Sequence, residues 1–216
     1  MTKLATTSQL QEWQGEFGRA YTDRNSLTPE QVDELWAKNY GVTRTAVNLR
    51  FLKEVPKSAR ILEVGCNLGN QLVLLQRLGY SNLYGIEVQS YALEQAKVRN
   101  PGLNLVQASA FDIPYDDGFF DLVFTSGVLI HIAPDDLPVA LTEIHRCSRE
   151  FIFGTEYFTS AVTEVNYRDQ RGLLWKMDYA REYLSRFGDL QLVKEEHLSY
   201  RANANVDTVF LLRKVS

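Results

Sequence analysis

The sequence predicts an α/β fold with a mainly parallel sheet, and three observations carry that expectation. From Arg60 onward, short apolar runs alternate with helical patterns. The first run, Arg60 to Val64, ends in a glycine-bearing turn that opens a helix. The last two runs, Leu190 to Lys194 and Val206 to Arg213, lie so close in sequence that an antiparallel pair at a sheet edge is expected.

The elements follow in order. Ser8 to Ala20 is expected to be helical, with Gly15 and Gly18 weakening it. Thr28-Pro29-Glu30-Gln31 is a helix start, with Thr28 as N-cap, Pro29 at the first helical position and Gln31 closing a capping box. Val32, Leu35 and Trp36 recur at helical spacing before Gly41. Thr43 to Glu54 is a further helix that stops before Pro56. Strands are expected at Arg60 to Val64, Leu83 to Glu87, Leu103 to Val106, Phe120 to Phe124 and Phe151 to Phe153. Helices are expected at Gln71 to Leu78, Tyr91 to Arg99, Leu137 to His145 and Tyr179 to Phe187. Between Thr155 and Lys176 there is no clean period, and the stretch is far longer than a connection of about 4–6 residues, so it reads as an inserted loop or cap.

The 216 residues suit one domain, divided as 1–58 (N-terminal helices), 59–154 (core), 155–177 (cap) and 178–216 (C-terminal helix and strand pair). Hydrophobic residues at 45% and charged residues at 23% exclude a disordered chain. Lys and Arg number 23 against 27 Asp and Glu, a net charge of −4, where a nucleic-acid binder carries a basic excess. Between Arg99 and Arg146 there is no Lys or Arg, so a polyanion is repelled there and a small or cationic ligand is not. Met1 to Leu10 has no leader pattern and no apolar run approaches a membrane span, so no membrane association is expected. Two cysteines, Cys66 and Cys147, without CxxC spacing suggest neither a disulfide framework nor a zinc site, and the cytoplasm is the expected compartment.

Four segments, each at the C-terminal end of a strand, carry the chemistry. In Glu63-Val64-Gly65-Cys66-Asn67-Leu68-Gly69, the glycines let a ligand approach the backbone. The helix N-terminus there presents free N–H groups to a carboxylate, and Glu63 suits an amine, so an amino-acid zwitterion would use both. Glu87, 18 residues after Gly69 and followed by Val88, suits a ribose diol, since a carboxylate only accepts hydrogen bonds and each hydroxyl donates one. Ser109-Ala110-Phe111-Asp112 offers a resting place for an adenine. Phe120 to Phe124 runs into the small-residue turn Thr125-Ser126-Gly127. Taken alone, the glycine loop is also what a plain strand-to-helix turn looks like.

In this order the four segments resemble the class I S-adenosylmethionine-dependent methyltransferases, and the resemblance covers Arg60 to Gly154 and the terminal strand pair. It implies a seven-stranded sheet of order 3-2-1-4-5-7-6 and S-adenosyl-L-methionine as cofactor, with S-adenosyl-L-homocysteine as product. The chain departs from the family at Asn67, where a central glycine is usual, and at Ser109, where an acidic adenine contact is usual. Glu12 to Gly18, Tyr21 to Asn25, Gly127 to Ile132 and Glu156-Tyr157-Phe158 are similar to small methyltransferases found beside pseudaminic acid and surface-polysaccharide biosynthesis. That likeness implies a hydroxyl of a sugar or sugar acid as methyl acceptor.

His131, after the fourth strand, has a suitable unperturbed pKa for a base, or it packs in the turn and fixes the loop. Glu156 and Tyr157 are candidates to orient or deprotonate the acceptor. Tyr167, Arg168 and Lys176 in the cap are candidates to bind it, an arginine fork suiting a carboxylate or phosphate. Trp13, Phe17 and Tyr21 share a helical face, with Trp13 and Tyr21 read as a lid over the cofactor. Arg44 is placed near the methionine carboxylate, and Cys66 is a small filler of the loop. No metal is required. Other readings are methylation of a carboxylate or amine, a nicotinamide-dependent oxidoreductase (although Ala161 stands where Tyr157 would need its lysine) and a protein that only binds cofactor. A monomer or a homodimer is expected.

Overall fold

The computed structural model describes residues 7–215, so the reading of Met1 to Leu10 as leader-free falls largely outside the described residues. Seven strands form the main sheet. They are β1 (Arg60–Val64), β2 (Asn82–Glu87), β3 (Asn104–Gln107), β4 (Phe120–Ser126), β5 (Ser148–Tyr157), β8 (Leu190–Ser199) and β9 (Val206–Lys214). The order is β3-β2-β1-β4-β5-β9-β8, with β9 antiparallel to both its neighbours and every other pair parallel. A two-stranded ribbon, β6 (Thr163–Glu164) with β7 (Trp175–Lys176), stands apart from it. With the ribbon set aside the order is the predicted 3-2-1-4-5-7-6.

The central strands are buried on both faces, and alternation along each assigns its residues to a side. Leu62, Val123, Ile152, Phe210 and Leu212 face α7 (Leu137–Cys147) and α8 (Tyr179–Arg186). Ile61, Leu122, Phe124, Phe151, Phe153, Val209 and Leu211 face the other layer. That layer holds α3 (Pro29–Tyr40), α4 (Arg44–Phe51) and α5 (Asn70–Arg77). α6 (Ser90–Arg99) connects β2 to β3. The capping box at Thr28 forms as the sequence predicts, and α3 ends at Gly41 in a left-handed conformation.

Three elements differ from expectation. The N-terminal helix is broken at Gly15 into α1 (Ser8–Gln14) and α2 (Glu16–Arg24). Gly15 adopts an extended conformation, ends α1 and begins α2. β5 runs on through Tyr157, because β9 pairs with it as far as Asp207 opposite Tyr157. The polar character of Thr155 and Glu156 hides this extension in the sequence. β8 likewise continues to Ser199, with a register shift between Leu192 and Lys194. Among the described residues no helix is long and apolar enough to cross a membrane.

Candidate active site

The turn after β1 places its backbone against β2, since the N–H groups of Gly65 and Cys66 both donate to the Ile86 carbonyl, at 2.8 and 2.9 Å. Gly65 has φ +71°, and a Cβ there would lie 2.6 Å from Val128 Cγ2, so only glycine fits. Asn67, standing where the family has a glycine, adopts φ 44°, a left-handed conformation that asparagine tolerates better than most residues. The backbone path of the loop is therefore kept despite the substitution.

Above this turn lies a cavity of about 310 Å³, at the lower end of the usual size for small-molecule sites. Its wall brings together Trp13, Tyr21, Glu63, Gly65, Cys66, Asn67, Glu87, Val88, Ser109, Ala110, Phe111, Ser126, Gly127 and His131. Gly69, Arg44, Glu156, Tyr157, Tyr167, Arg168 and Lys176 are not part of that wall. Glu63, Glu87 and Asp136 line the cavity, and among the described residues no Lys or Arg does.

Glu87 Oε2 accepts from the Asn67 N–H at 2.8 Å and Oε1 from the Gln89 N–H at 2.9 Å. Burial raises its pKa, and the N–H groups of Gln89, Asn67 and Val88 pull it down. Each oxygen keeps a lone pair for a hydroxyl donor. Glu63 is also buried, its pKa raised well above the usual range by burial and pulled back by Arg44. Among the described residues its Oε2 has no partner, nor have Gln71 Oε1 and Trp13 Nε1 on the same wall. Two buried acceptors and a buried donor without partners are what a zwitterionic, amine-bearing ligand would satisfy. Burial, with Glu63 and Glu87 nearby, keeps the Cys66 thiol protonated. Ser109 Oγ accepts from the Phe111 N–H at 3.1 Å and so shapes its own turn.

His131 lies in a short 3-10 turn, Leu129–His131, and its Nδ1 is 2.7 Å from the Leu173 carbonyl. A carbonyl only accepts, so Nδ1 carries the proton and Nε2 keeps a lone pair. Burial pushes the imidazole pKa down to about 4, opposed by the Leu173 hydrogen bond, so the ring is neutral at pH 7. Its ring centroid lies 4.4 Å from that of Trp13, 5.6 Å from Tyr167 and 6.4 Å from Tyr21. Although Gly15 breaks the helix, Trp13 still meets Phe17 and Tyr21, each at 5.1 Å and edge-on. The break itself is held by Gln89, whose Nε2 donates to the carbonyls of Trp13, Gln14 and Gly15 at 2.9–3.1 Å.

The remaining sequence candidates sit elsewhere. Arg44 is fully buried, donates to Thr155 Oγ1 at 2.7 Å and packs over the Trp36 ring, 4.8 Å from its centroid. Both Glu156 oxygens accept backbone N–H groups, from Val128 and Ile130. Tyr157 lies beneath the Lys176 ammonium, which itself donates to Asn205. Arg168 is exposed, at φ 54° in a tight turn. Sequence reasoning passed over Thr22, Trp36, Gln71, Gln89 and Asp136, which also line the cavity. Gln89 carried a usable signal, as a polar N-cap two residues after Glu87. Trp36 carried none, since a tryptophan at helical spacing reads as core.

Residues 62–150 match the family model described as a methyltransferase domain. The chain is 33% identical over 87 residues to an uncharacterized methyltransferase of Synechocystis sp., sll0829, covering 40% of this chain and 41% of that protein. It is 31% identical over 99 residues to the O-methyltransferase rstn1 of Aspergillus nomiae, covering 43% of each. The chain thus spans less than half the length of these curated relatives. A solved geranyl diphosphate C-methyltransferase of Streptomyces coelicolor, in complex with Mg2+, geranyl diphosphate and S-adenosyl-L-homocysteine, gives a TM-score of 0.72 at 12% identity. That likeness covers 98% of this chain and 100% of that one. The fold is the Rossmann-like methyltransferase fold, and residues 62–150 match the model of a family that uses S-adenosylmethionine.

Proposed function

We propose that the protein is an S-adenosylmethionine-dependent methyltransferase acting on a hydroxyl of a small polar molecule, a sugar or sugar acid of the surface-polysaccharide kind. The observation that carries the acceptor class is His131. It is a neutral imidazole on the cavity wall, its tautomer set by Leu173 and its Nε2 lone pair available to take a proton. Bound S-adenosylmethionine supplies a methyl group already activated on sulfur. Glu63 would hold its amine, Glu87 its ribose hydroxyls, and the turn at Ser109, Ala110 and Phe111 its adenine. Trp13 and Tyr21, on the cavity wall, would shield the transfer from water. His131 Nε2 accepts the hydroxyl proton as the acceptor oxygen is methylated. Tyr167, against the His131 ring, and the exposed Arg168 give the cap a face for the acceptor.

A second reading is a carboxylate acceptor, which needs no base. The pKa of about 4 at His131 favours it, since so weakly basic an imidazole removes a proton poorly from an alcohol. The experiment is transfer from methyl-labelled S-adenosylmethionine to pooled neutral sugars and sugar acids, followed by mild base. Label that survives as an ether supports the hydroxyl reading. Label released as methanol supports the ester, and absence of label from every pool, with no cofactor binding by calorimetry, rejects both.

A further inference from the structure

The turn that carries His131 is tied to one strand. The Gly127 N–H donates to the Thr155 carbonyl at 2.9 Å, and the next residue of β5, Glu156, takes the turn's following N–H groups. Glu156 Oε1 accepts from Val128 at 3.3 Å and Oε2 from Ile130 at 3.4 Å, with the Leu129 N–H and the Thr125 hydroxyl also directed at the carboxylate. The side chain is buried, with 1% exposure, and touches none of the cavity. A buried carboxylate that accepts several backbone N–H groups acts on backbone geometry, and the backbone it governs ends at His131.

We propose that Glu156 is a positioning residue for the methyl transfer: its ionised carboxylate holds the 128–131 turn so that His131 keeps its Leu173 hydrogen bond and presents Nε2 to the cavity. This rests on the reading of His131 as the base. Protonation of Glu156 turns one of its acceptor oxygens into a donor facing these N–H groups, and the turn relaxes.

The charge state of Glu156 changes in the working range of pH. Burial pushes its pKa up to about 7, against the Thr125 hydroxyl and the N–H groups of the turn. The titratable groups that face it are Arg44 on α4 and Tyr179 and Tyr183 on α8. Arg44 favours the ionised form, and burial raises both tyrosines, so neither ionises in this range. His131 itself titrates near 4, so a change in its surroundings near pH 7 does not arise from its own ionisation.

The test is nitrogen-15 NMR of the imidazole rings in the full chain between pH 5.5 and 8.5, with His131 assigned by His131→Asn. The expected result is a protonated Nδ1 whose shift steps with a midpoint near 7 while the ring stays neutral. In Glu156→Gln the step is absent, and in Glu156→Asp, which keeps the charge and also covers a failure of the first variant to fold, it returns. Calorimetric binding of S-adenosylmethionine changes less than about threefold in either variant. A His131 signal that does not move across this range, or a step that persists in Glu156→Gln, overturns the proposal. Loss of cofactor binding by the wild-type chain would instead reject the methyltransferase reading, and the NMR result would still decide the positioning role.

Discussion

The two halves of the site are built differently. On the cofactor side, β1, β2 and β4 deliver short turns whose backbone conformations are dictated residue by residue. Gly65 cannot bear a Cβ, Asn67 is left-handed, and Glu87 takes two backbone N–H groups. On the side proposed for the acceptor, the wall comes from segments distant in sequence, α1 and the turn at His131, and the cap backs that turn through the Leu173 carbonyl. Their contacts are ring against ring and side chain against carbonyl. A surface made by the strand ends is specified locally, whereas a surface assembled from three separate segments is specified by how they pack.

Substitutions in each half should therefore disturb different measurements. The largest effect is expected at His131: His131→Leu should lower kcat by about 10²–10⁴-fold for a hydroxyl acceptor and leave cofactor binding unchanged. Equal loss of both would erase the division between the halves. Glu87→Ala should weaken S-adenosylmethionine by about 100-fold in a calorimetric titration, because a charged acceptor is lost and two buried N–H groups are left unpaired. Gln89→Ala should weaken it by about 3–10-fold, since the bonds removed, to the α1–α2 break and to the Tyr91 N–H at the start of α6, are all neutral. It should also raise hydrogen exchange in residues 8–15.

A smaller effect belongs to pH and stability. Glu156 and Asp207 have folded pKa values raised by burial to about 7 and about 6, above those of free carboxyls. Folding therefore binds their protons more tightly, and stability falls as pH rises from the unfolded value through 6 and 7. His131 acts in the opposite sense only at lower pH, since its folded value of about 4 removes stability as pH falls below its unfolded value. The melting temperature should therefore decline between pH 6 and 8, and the decline should be shallower in Glu156→Gln. The smallest effect is at Arg168, where replacement by Ala should change stability by under about 0.5 kcal/mol and leave cofactor affinity intact. A raised KM for acceptor would identify the cap as its binding face.

This division also explains what could be read from the sequence. The mainly parallel α/β sheet followed from alternating apolar runs, its strand order from the family resemblance, and much of the cavity wall from glycine and acid positions at strand ends. Thr155 and Glu156 were harder to place because a buried polar pair at the end of β5 looks like the start of a loop. The break at Gly15 was visible only as a weak helix. Arg44 was placed by charge alone, and charge did not reveal that its guanidinium is enclosed between Trp36 and Phe153. Contacts such as Leu173 with His131 depend on a carbonyl 42 residues away, for which side-chain chemistry offers no signal.

The register shift in β8 bears on how the molecule behaves at high concentration. β8 is an outer strand, and it exposes Leu192 and Val193, at 44% and 42%, beside unpaired backbone. The shift falls at these residues, and Lys194, Glu195 and Glu196 follow at once. A bulge followed by charges of both signs offers a poor template for a further strand. The opposite border, β3, is only four residues long. The sheet thus stops growing at both margins without closing into a barrel, and its most apolar border strand is guarded against intermolecular pairing and the aggregation that would follow.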